Sequence, residues 1–582
     1  MKRFLLAFLW AALSVTSHAQ TGPGGVGNTL GVGQPRNVLW LDATKLPLTD
    51  GNDITAWPDL SGNANNLSAA AAISPQFENT TPINGLGYAR FSKADNRILL
   101  TNFNDMPQSA YTAVIVYRTN GTGQGLVSYA ASDASPDEYA LRNSDALRTY
   151  IGSGAFDQST LATNNNAFRV VINSWDNIDG ILDYYIDGNE SGGSYRTVNG
   201  FKIGQNIQPG GTFVIGNDQD LLNDGYEAAD AFSGDIAEVI VYDRKLNAAQ
   251  VRIVNNYINA KYGFAITGDN YAGDTPANGN YDFAVAGIGR HNGTTHNEAN
   301  SAGFILTGIS YSGTTSKFVI AGHNNLTNTS ATVVSSGFGT GGAVQRWNRS
   351  WFVDFSGTVT VTADLTFDLG EGINGGSPVN ADNYVLLKYN TVTSLWDVSS
   401  LPTTKTINGD RISFRIASAN ASNDDGRYTL GTLDAVASPV AGINIRTWYS
   451  YQTGQWNNPD VWTLDGGVVP LLTNPGNEIP QPGDNVIITN GRTITMNVNA
   501  VTLAGIQVDG TLNVAATSGH NFNSIRGNGR IRLSGAAGLD NFPAGTTTLF
   551  ADATTGGTVE YYGSSNISLN QNRTFNNVEV KL

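Results

Sequence analysis

The sequence predicts an all-β chain that is divided into several domains. Short β-branched and aromatic runs alternate with Gly, Asn and Ser turns along most of the chain. Glycine accounts for 67 of the 582 residues, and there is no cysteine. Helical periodicity outside the first residues is confined to 247–262. Without disulfides, each domain must fold on its own apolar core, and this length allows several domains.

The first 19 residues resemble a secretory signal peptide. Lys2 and Arg3 form a basic start, 4–13 is apolar, and Ser17-His18-Ala19 is a small-x-small cleavage site. The apolar run is shorter than the roughly 20 residues that span a bilayer. We therefore expect a secreted or cell-surface protein with no membrane insertion after cleavage. The Gly-rich residues 20–36 that follow are predicted to be a flexible linker.

A strand followed by a short helix is predicted for the stretch that ends at Gly263. Residues 236–242 are rich in β-branched and aromatic side chains, which favours a strand. Asn247 stands at the N-cap position with Gln250 three residues later, as in a capping box. Apolar residues then recur at helical spacing, and Gly263 is a natural C-cap. One amphipathic helix should therefore close the first domain.

A second block of residues lies near the start of the same region. Trp40-Leu41-Asp42-Ala43 is followed by Trp57-Pro58-Asp59-Leu60-Ser61-Gly62-Asn63, and then by Asn84-Gly85. With the strand–helix ending, this order resembles laminin-G-like domains of the concanavalin-A-like jelly-roll superfamily in secreted bacterial (Bacteroidota-type) surface proteins. The resemblance covers 37–263. It implies a jelly roll that recognises carbohydrate or protein, although the same fold also hosts glycanases.

The second region, 264–435, contains short strands separated by turn residues at the spacing of a sandwich. One of its predicted strands spans 346–355. The order of its aromatic and glycine-containing segments resembles a sandwich module that follows laminin-G-like domains in secreted Bacteroidota proteins. This resemblance implies a structural spacer or stalk.

The third region, 447–582, follows a linker predicted for 436–446. Its apolar-alternating runs are short, are separated by Gly or Asn turns and have no helix between them. They resemble the cap and first coils of a right-handed parallel β-helix, in which each coil buries its core against its neighbours. Because the chain stops at Leu582 within a strand-like run, we expect this domain to be truncated.

The charge balance disfavours two classes of partner. With 33 basic and 48 acidic residues the formal net charge is −15. Such a chain repels nucleic acid and anionic lipid, and no basic cluster offsets this. We expect an extracellular glycan or surface protein as partner, and no nucleic acid.

Catalytic residues of a glycanase are not predicted. Jelly-roll glycanases need two close carboxylates, which a strand places on one face at a period of two. Asp235 and Glu238 are predicted to lie on opposite faces. Asp183 shares a face with Asp187, but Asp187 belongs to an Asp-Gly turn. The sequence therefore favours a binding protein over an enzyme.

Calcium is the one cofactor that the sequence suggests. Asp218, Asp220 and Asp224 form an acidic loop before the last strand of the first domain. Carboxylates and amides are the oxygen ligands that Ca²⁺ prefers. His291, His296 and Glu298 are close in sequence, but they lack the His-Glu-x-x-His order of a zinc helix. We therefore predict no zinc site there.

Aromatic residues of the first domain could bind sugar by stacking. Trp175, at a predicted hairpin tip, and Tyr184 are the predicted ligand-binding residues. Trp40 and Trp57 belong to the opening block and are predicted to be core.

Three functions remain open from the sequence. The leading one is a secreted binding or adhesion protein whose jelly roll recognises the ligand while the other domains form a stalk. The alternatives are a secreted polysaccharide-degrading enzyme, glycoside hydrolase or lyase, with the jelly roll as accessory module, and a purely structural surface component.

Overall fold

The structure is a computed structural model that describes residues 22–152, 156–326, 331–333, 338–357, 360–372, 378, 380–419, 424–435, 438–440, 447–464, 479–480, 484–536, 538–563, 567–568 and 573–581. The signal peptide predicted for 1–19 lies outside these residues, as does most of the linker predicted for 436–446. The chain divides into two compact units at residues 440 and 441.

The first sandwich is built from short strands and closes with one helix. Its strands are β1 (Asn37–Asp42), β2 (Ala56–Trp57), β3 (Leu67–Ser68), β4 (Gln76–Ile83), β5 (Leu86–Phe91), β6 (Leu99–Phe103), β7 (Ala110–Thr119), β8 (Gly125–Ala130), β9 (Tyr139–Arg142), β10 (Arg148–Ile151), β11 (Phe156–Gln158), β12 (Arg169–Asp176), β13 (Leu182–Ile186), β14 (Tyr195–Val198), β15 (Gly211–Ile215) and β16 (Gly234–Tyr242). Helix α1 spans Ala248–Tyr262, and short 3-10 turns lie at Ala43–Lys45, Ala71–Ile73 and Gly192–Ser194.

These strands form two antiparallel sheets that pack face to face. Sheet 1 has the order β14-β13-β12-β7-β16-β5-β4, with β1 also paired to β16, and sheet 2 has the order β11-β10-β9-β8-β15-β6-β3-β2. The core between them includes Trp57, Tyr111, Trp175 and Phe213. The jelly-roll sandwich predicted from the sequence is thereby confirmed, and Trp57 lies in the core as expected.

Helix α1 begins and ends as predicted. The Asn247 side chain accepts from the Gln250 N–H at 3.0 Å, and the Gln250 side chain accepts from the Asn247 N–H at 3.0 Å. Gly263 adopts the left-handed C-cap conformation with φ of 71°. However, helix α1 does not have one buried face and one exposed face, as the predicted amphipathic helix would. Its apolar residues pack on Val114 and Ile240 of sheet 1 and also meet Ile320 of the second sandwich.

A charge network is buried beside α1. Lys261 Nζ lies 2.8 Å from the Glu238 carboxylate and 2.7 Å from that of Asp42, and these two carboxylate side chains are 0% and 1% exposed. Trp40 and Tyr257 donate to Glu238 Oε1 at 2.7 and 2.9 Å. Burial raises the pKa of Glu238 while Lys261 acts in the opposite direction. One cation is therefore shared by two buried carboxyl groups.

The segment predicted as a flexible linker is packed from residue 22 onward. Val26 is 0% exposed and belongs to the cluster around α1. Gly24 pairs with Ala286 in a parallel bridge. A Cβ on Gly25, whose φ is +76°, would lie 2.5 Å from that of Ala299. The flexible-linker prediction is wrong for these residues, because the glycines allow the backbone to approach the second sandwich closely.

The second sandwich contains β17 (Phe283–His291), β18 (Thr294–His296), β19 (Glu298–Ser301), β20 (Phe304–Tyr311), β21 (Lys317–His323), β22 (Ala331–Val333), β23 (Gln345–Trp347), β24 (Trp351–Asp354), β25 (Val361–Asp368), β26 (Tyr384–Asn390), β27 (Leu395–Val398), β28 (Pro402–Asn408), β29 (Arg411–Ala419) and β30 (Gly426–Thr432). A single helical turn, α2, spans Leu369–Gly372, and a 3-10 turn lies at Ala381–Asn383.

Two antiparallel sheets again enclose an aromatic core. Sheet 3 follows the order β18-β17-β21-β24-β30-β23-β22, with β26 between β30 and β27, and sheet 4 follows β19-β20-β25-β29-β28. Phe304 of sheet 4 meets Trp351 of sheet 3 at 5.1 Å between ring centroids. The single strand predicted for 346–355 is two strands, because β23 pairs with β22 and β24 pairs with β21.

The second unit contains β31 (Thr447–Ser450), β32 (Gly454–Gln455), β33 (Trp462–Thr463), β34 (Asn485–Ile488), β35 (Thr493–Thr495), β36 (Gly505–Val508), β37 (Thr511–Ala515), β38 (Asn521–Arg526), β39 (Arg530–Leu533), β40 (Ala544–Thr546), β41 (Thr558–Tyr562) and β42 (Asn577–Lys581), with a 3-10 turn at Pro459–Val461.

From β34 to β41, successive strands of the second unit alternate between two sheets. The orders are β33-β31-β34-β36-β38-β40 and β32-β35-β37-β39-β41-β42. The pairs are parallel, apart from the antiparallel pair of β31 with β33. Val486 lies in register with Ile506, and Ile506 with Ile525, so apolar side chains stack from strand to strand within one core.

Among the residues that the structure describes, none of the helices combines the length and the apolar character needed to cross a membrane.

Candidate functional site

The outer face of sheet 2 carries polar and aromatic side chains on neighbouring strands. Along β10, Arg148 and Tyr150 are partly exposed while Ile151 is buried in the sandwich, as the two-residue period of a strand requires. On β11, Gln158 lies opposite Arg148 and Phe156 lies opposite Tyr150. Side chains opposite each other in a sheet share a face, so these groups form one surface.

We call this surface, with the adjacent Arg142 of β9, the outer patch: Arg142, Arg148, Tyr150, Phe156 and Gln158. The Arg148 guanidinium lies 4.2 Å from the centre of the Phe156 ring. It donates to Tyr150 Oη at 3.2 Å and to Gln158 Oε1 at 2.5 Å. Phe156 remains 46% exposed. The outer patch therefore presents the Phe156 ring, which Arg148 holds in place, next to hydrogen-bonding groups.

The loop between β15 and β16 folds against the same face. Gln219 is fully buried there, and its amide donates to the Thr212 carbonyl at 3.0 Å. Its side-chain oxygen accepts from the Asn223 N–H at 3.1 Å. This anchoring leaves Asp220 and Asp224 exposed at the end of the loop.

Arg142 connects the loop to the patch. Its guanidinium forms ion pairs with the carboxylates of Asp218 and Asp230. The Asp218 side chain is only 4% exposed. Burial raises the pKa of Asp218 to about 7, with Arg142 opposing the shift and nearby carboxylates adding to it. Asp218 is therefore an internal ion-pair partner of Arg142.

The three aspartates predicted as calcium ligands do not converge. Asp218 is buried against Arg142, whereas Asp220 and Asp224 are exposed. Asp224 Oδ1 accepts the N–H of the following Gly225 at 2.8 Å. Within the described ranges, no three acidic, histidine or cysteine side chains gather as a metal site requires. The residues of this loop do not fit a calcium ion as they stand, since Ca²⁺ takes six to eight oxygen ligands.

Trp175 and Tyr184, the predicted ligand-binding residues, lie in the core of the first sandwich. Both are 0% exposed. The Trp175 indole N–H donates to the Phe201 carbonyl at 2.9 Å, and its ring lies 6.3 Å from that of Tyr111. Trp175 is therefore not an exposed residue of the hairpin tip. The indole lies on the inner face of β12, where neither ring face is open to a ligand.

Asp235 and Glu238 lie on the same face of β16, which corrects the prediction of opposite faces. A β-bulge between Ile236 and Glu238 shifts the register against β7, and an extra residue reverses the alternation that follows. Asp235 pairs with Arg90 and Arg118, while Glu238 pairs with Lys261.

The carboxylates of Asp183 and Asp187 are also paired with basic side chains. Asp183 lies 2.6 Å from Lys245 Nζ, and Asp187 lies 2.5 Å from Arg169 Nη1. Asp187 has φ of 52°, which places it in the turn that the sequence predicts. The geometry gives these groups structural partners.

His291, His296 and Glu298 have separate surroundings. His291 Nε2 lies 2.7 Å from Glu190 and its Nδ1 lies 2.6 Å from Ser316 Oγ. His296 is buried, with Nε2 at 3.1 Å from the Gly25 carbonyl, and burial lowers its pKa to about 4.

The residues of the outer patch were not singled out from the sequence. The signal that could have revealed them is the alternation in Arg148-Thr149-Tyr150-Ile151, which places Arg and Tyr together on the solvent side of a strand. The partner strand Phe156–Gln158 is too short for its own pattern to be informative.

Comparison with known families identifies two regions of the chain. Residues 92–252 match the concanavalin A-like lectin/glucanases superfamily model Laminin_G_3. Residues 473–534 match the G8 domain model. The first match contains the outer patch and the acidic loop, so the first sandwich is a lectin-like jelly roll.

Curated relatives of this chain include pentraxin-domain proteins. The neuronal pentraxin receptor of Homo sapiens is 28% identical over 194 residues, which are 32% of this chain and 36% of that protein. Neuronal pentraxin-1 of Homo sapiens is 33% identical over 88 residues, 15% of this chain and 19% of that protein. The sushi, von Willebrand factor type A, EGF and pentraxin domain-containing protein 1 of Mus musculus is 27% identical over 128 residues, 22% of this chain and 4% of that protein. The chain thus spans a minor part of each of these relatives.

Solved structures with local similarity include a heptameric SAP-like pentraxin from Limulus polyphemus. It has 22% identity and a TM-score of 0.23, and the match covers 26% of this chain and 72% of that chain. A second match is domain 4 of the extracellular arabinanase AbnA from Geobacillus stearothermophilus, solved with arabinotriose. It has 14% identity and a TM-score of 0.26, and the match covers 38% of this chain and 98% of that chain.

Proposed function

We propose that this chain is a secreted or cell-surface binding protein whose first sandwich recognises a carbohydrate at the outer patch. The carrying observation is the exposed Phe156 ring, which the Arg148 guanidinium holds from one side at 4.2 Å. Tyr150 and Gln158 place hydrogen-bonding groups next to that ring. An aromatic platform flanked by a few fixed polar groups suits the apolar face and the hydroxyls of a sugar.

The charges around the outer patch favour an uncharged ligand. Arg142 is already paired with the carboxylates of Asp218 and Asp230. The patch adjoins an acidic loop, which repels anionic ligands. A neutral glycan therefore fits this surface better than an acidic one. Export by a signal peptide at 1–19 and adhesion to a cell surface are part of the proposal.

The remaining domains are proposed to act as a stalk. In the second unit, parallel strands alternate between two sheets and stack apolar side chains in register, and this arrangement supports the opening coils of a right-handed parallel β-helix. Such a solenoid lengthens with each added coil.

Phe156→Ala tests the proposal. We expect the full chain to bind a neutral oligosaccharide on a printed glycan array, and the variant to bind it about tenfold more weakly, a loss of about 1.4 kcal/mol. The affinity is measured by titration calorimetry with the glycans that bind. Ile178→Ala truncates another exposed apolar side chain, 80% exposed, and should leave binding unchanged. Equal affinity of the Phe156 variant and the unaltered chain would refute the outer patch.

Calcium binding by Asp218, Asp220 and Asp224 stays a prediction of the sequence, and it can be measured separately. Because Arg142 already neutralises Asp218, we expect millimolar Ca²⁺ to leave the thermal midpoint and the glycan affinity unchanged. A ligand that binds only the folded chain must raise the midpoint. A Ca²⁺-dependent rise that disappears in Asp220→Asn/Asp224→Asn would establish the loop as a calcium site after all.

A further inference from the structure

A cleft of about 710 Å³ opens in the second sandwich, separate from the outer patch. Its lining includes Asn278, from the segment that leads into this sandwich, with Lys388 and Tyr389 of β26 and Asp425 and Arg427 at the start of β30. Ligand pockets in proteins commonly measure roughly 300 to 1,000 Å³. The cleft thus has the size of a small-ligand or oligosaccharide site.

An aromatic wall borders the cleft. The Tyr389 ring packs on Trp396 with ring centroids 5.3 Å apart. The Arg427 guanidinium lies 5.3 Å from the centre of the same tyrosine ring, and its Nε donates to the Asn278 carbonyl at 3.0 Å. Tyr389 is therefore fixed by an indole, whose ring plane is inclined at 64° to its own, and by a guanidinium, while its own side chain stays partly exposed. A ring fixed in this way loses little freedom when a ligand stacks on it.

Groups of both charges lie next to this wall. Asp425 Oδ1 accepts the Phe355 N–H at 2.8 Å, which fixes the carboxylate at the base of β30. Burial lowers the pKa of Lys388, and the carboxylates of Asp424 and Asp425 act against that shift, so the three groups lie within electrostatic reach of one another. Donors and acceptors therefore face the same space.

We propose that this cleft binds a neutral oligosaccharide, with Tyr389 as stacking platform and Lys388, Asp425 and Arg427 as hydrogen-bonding partners. A sugar hydroxyl donates to a carboxylate and accepts from an ammonium or guanidinium, so paired groups of opposite charge suit vicinal hydroxyls. The lining carries Lys388 and Arg427 against Asp397, Asp424 and Asp425. That balance gives an anionic ligand no net attraction.

A second sugar-binding cleft would change how the chain engages a polymer. Once one site has bound a polysaccharide, binding of the same polymer at the second site is intramolecular. The overall affinity for the polymer then exceeds the affinity of either site alone. The cleft stands independently of the outer patch, because the two share no lining residue.

The test compares the full chain with two cleft variants on an array of neutral and uronic-acid oligosaccharides. Tyr389→Ala removes the platform. Ser400→Trp places a bulky ring at the exposed rim and removes no packed group. Val392→Trp, at a position 92% exposed and outside the lining, is the matched control. We expect both cleft variants to lose at least about tenfold in affinity for a set of neutral glycans that the control retains.

The outcomes separate this site from the outer patch. Neutral glycans that survive Phe156→Ala but are lost in Ser400→Trp support the cleft. If Ser400→Trp, with an unchanged thermal midpoint, binds every glycan as the unaltered chain does, the cleft is refuted while the outer patch can still stand. Hits confined to uronic-acid glycans would also overturn the assignment, because the cleft offers no surplus positive charge.

Discussion

Replacing Lys261 by methionine should destabilise the first sandwich by roughly 3–5 kcal/mol, the loss typical when one partner of a buried ion pair is removed. Lys261 is the cation that lies within 2.8 Å of both Glu238 and Asp42. Without it, two carboxylates that are almost wholly buried face each other. The effect is measured as the shift of the urea midpoint, monitored by tryptophan fluorescence. Trp40 is one of the reporting residues, and its indole donates to Glu238.

Two control variants show whether the loss of stability comes from the uncompensated buried carboxylates or simply from removing a lysine. Lys45→Met removes an exposed lysine and should change stability by no more than about 0.5 kcal/mol. Adding Glu238→Gln to Lys261→Met removes one of the stranded charges and should recover part of the loss. If the double variant is no more stable than Lys261→Met, the penalty does not come from uncompensated charge.

Trp175→Ala is expected to destabilise the first sandwich by about 3–5 kcal/mol, the range for truncating a buried aromatic side chain. The indole is 0% exposed and donates to the Phe201 carbonyl. The variant should therefore lower the urea midpoint and leave the glycan affinity of the folded protein unchanged. The two quantities are measured on the same preparation, by denaturation and by calorimetry under native conditions.

The hairpin that carries Trp175 provides its own control. Ile178 lies in the turn between β12 and β13 and is 80% exposed, so Ile178→Ala should be nearly neutral for stability. A Trp175→Ala protein with an unaltered midpoint but lost glycan binding would restore Trp175 as a ligand-binding residue. It would also show that the side chain leaves the core in solution.

Local patterns were sufficient wherever neighbours in sequence decide the structure. The capping box of Asn247 with Gln250 and the C-cap at Gly263 are found as predicted, since a helix terminus is satisfied by residues within one turn. The short runs at 485–488, 505–508 and 530–533 are strands for the same reason. Their β-branched and apolar side chains repeat with the period of a strand between turn residues.

The predictions that failed depend on what lies opposite an element. One inserted residue at the bulge of β16 brings Asp235 and Glu238 onto one face, and the bulge is defined only by pairing with β7. Trp175 sits beside a turn in the sequence, yet sheet 2 covers its face of β12. The surroundings of Asp218 likewise depend on a distant residue, because its carboxylate pairs with Arg142, 76 residues away in sequence; its role as a calcium ligand stays a prediction.

The sequence by itself determined the all-β class, the position and caps of helix α1 and most strands of the three regions, because periodicity and capping are local. The tertiary structure alone decided that α1 is buried between two sandwiches, that Lys261 pairs with two buried acids, and that Arg148 and Phe156 share an exposed face. Those features join residues far apart in the chain, and their energies come from burial and charge pairing that no single segment contains.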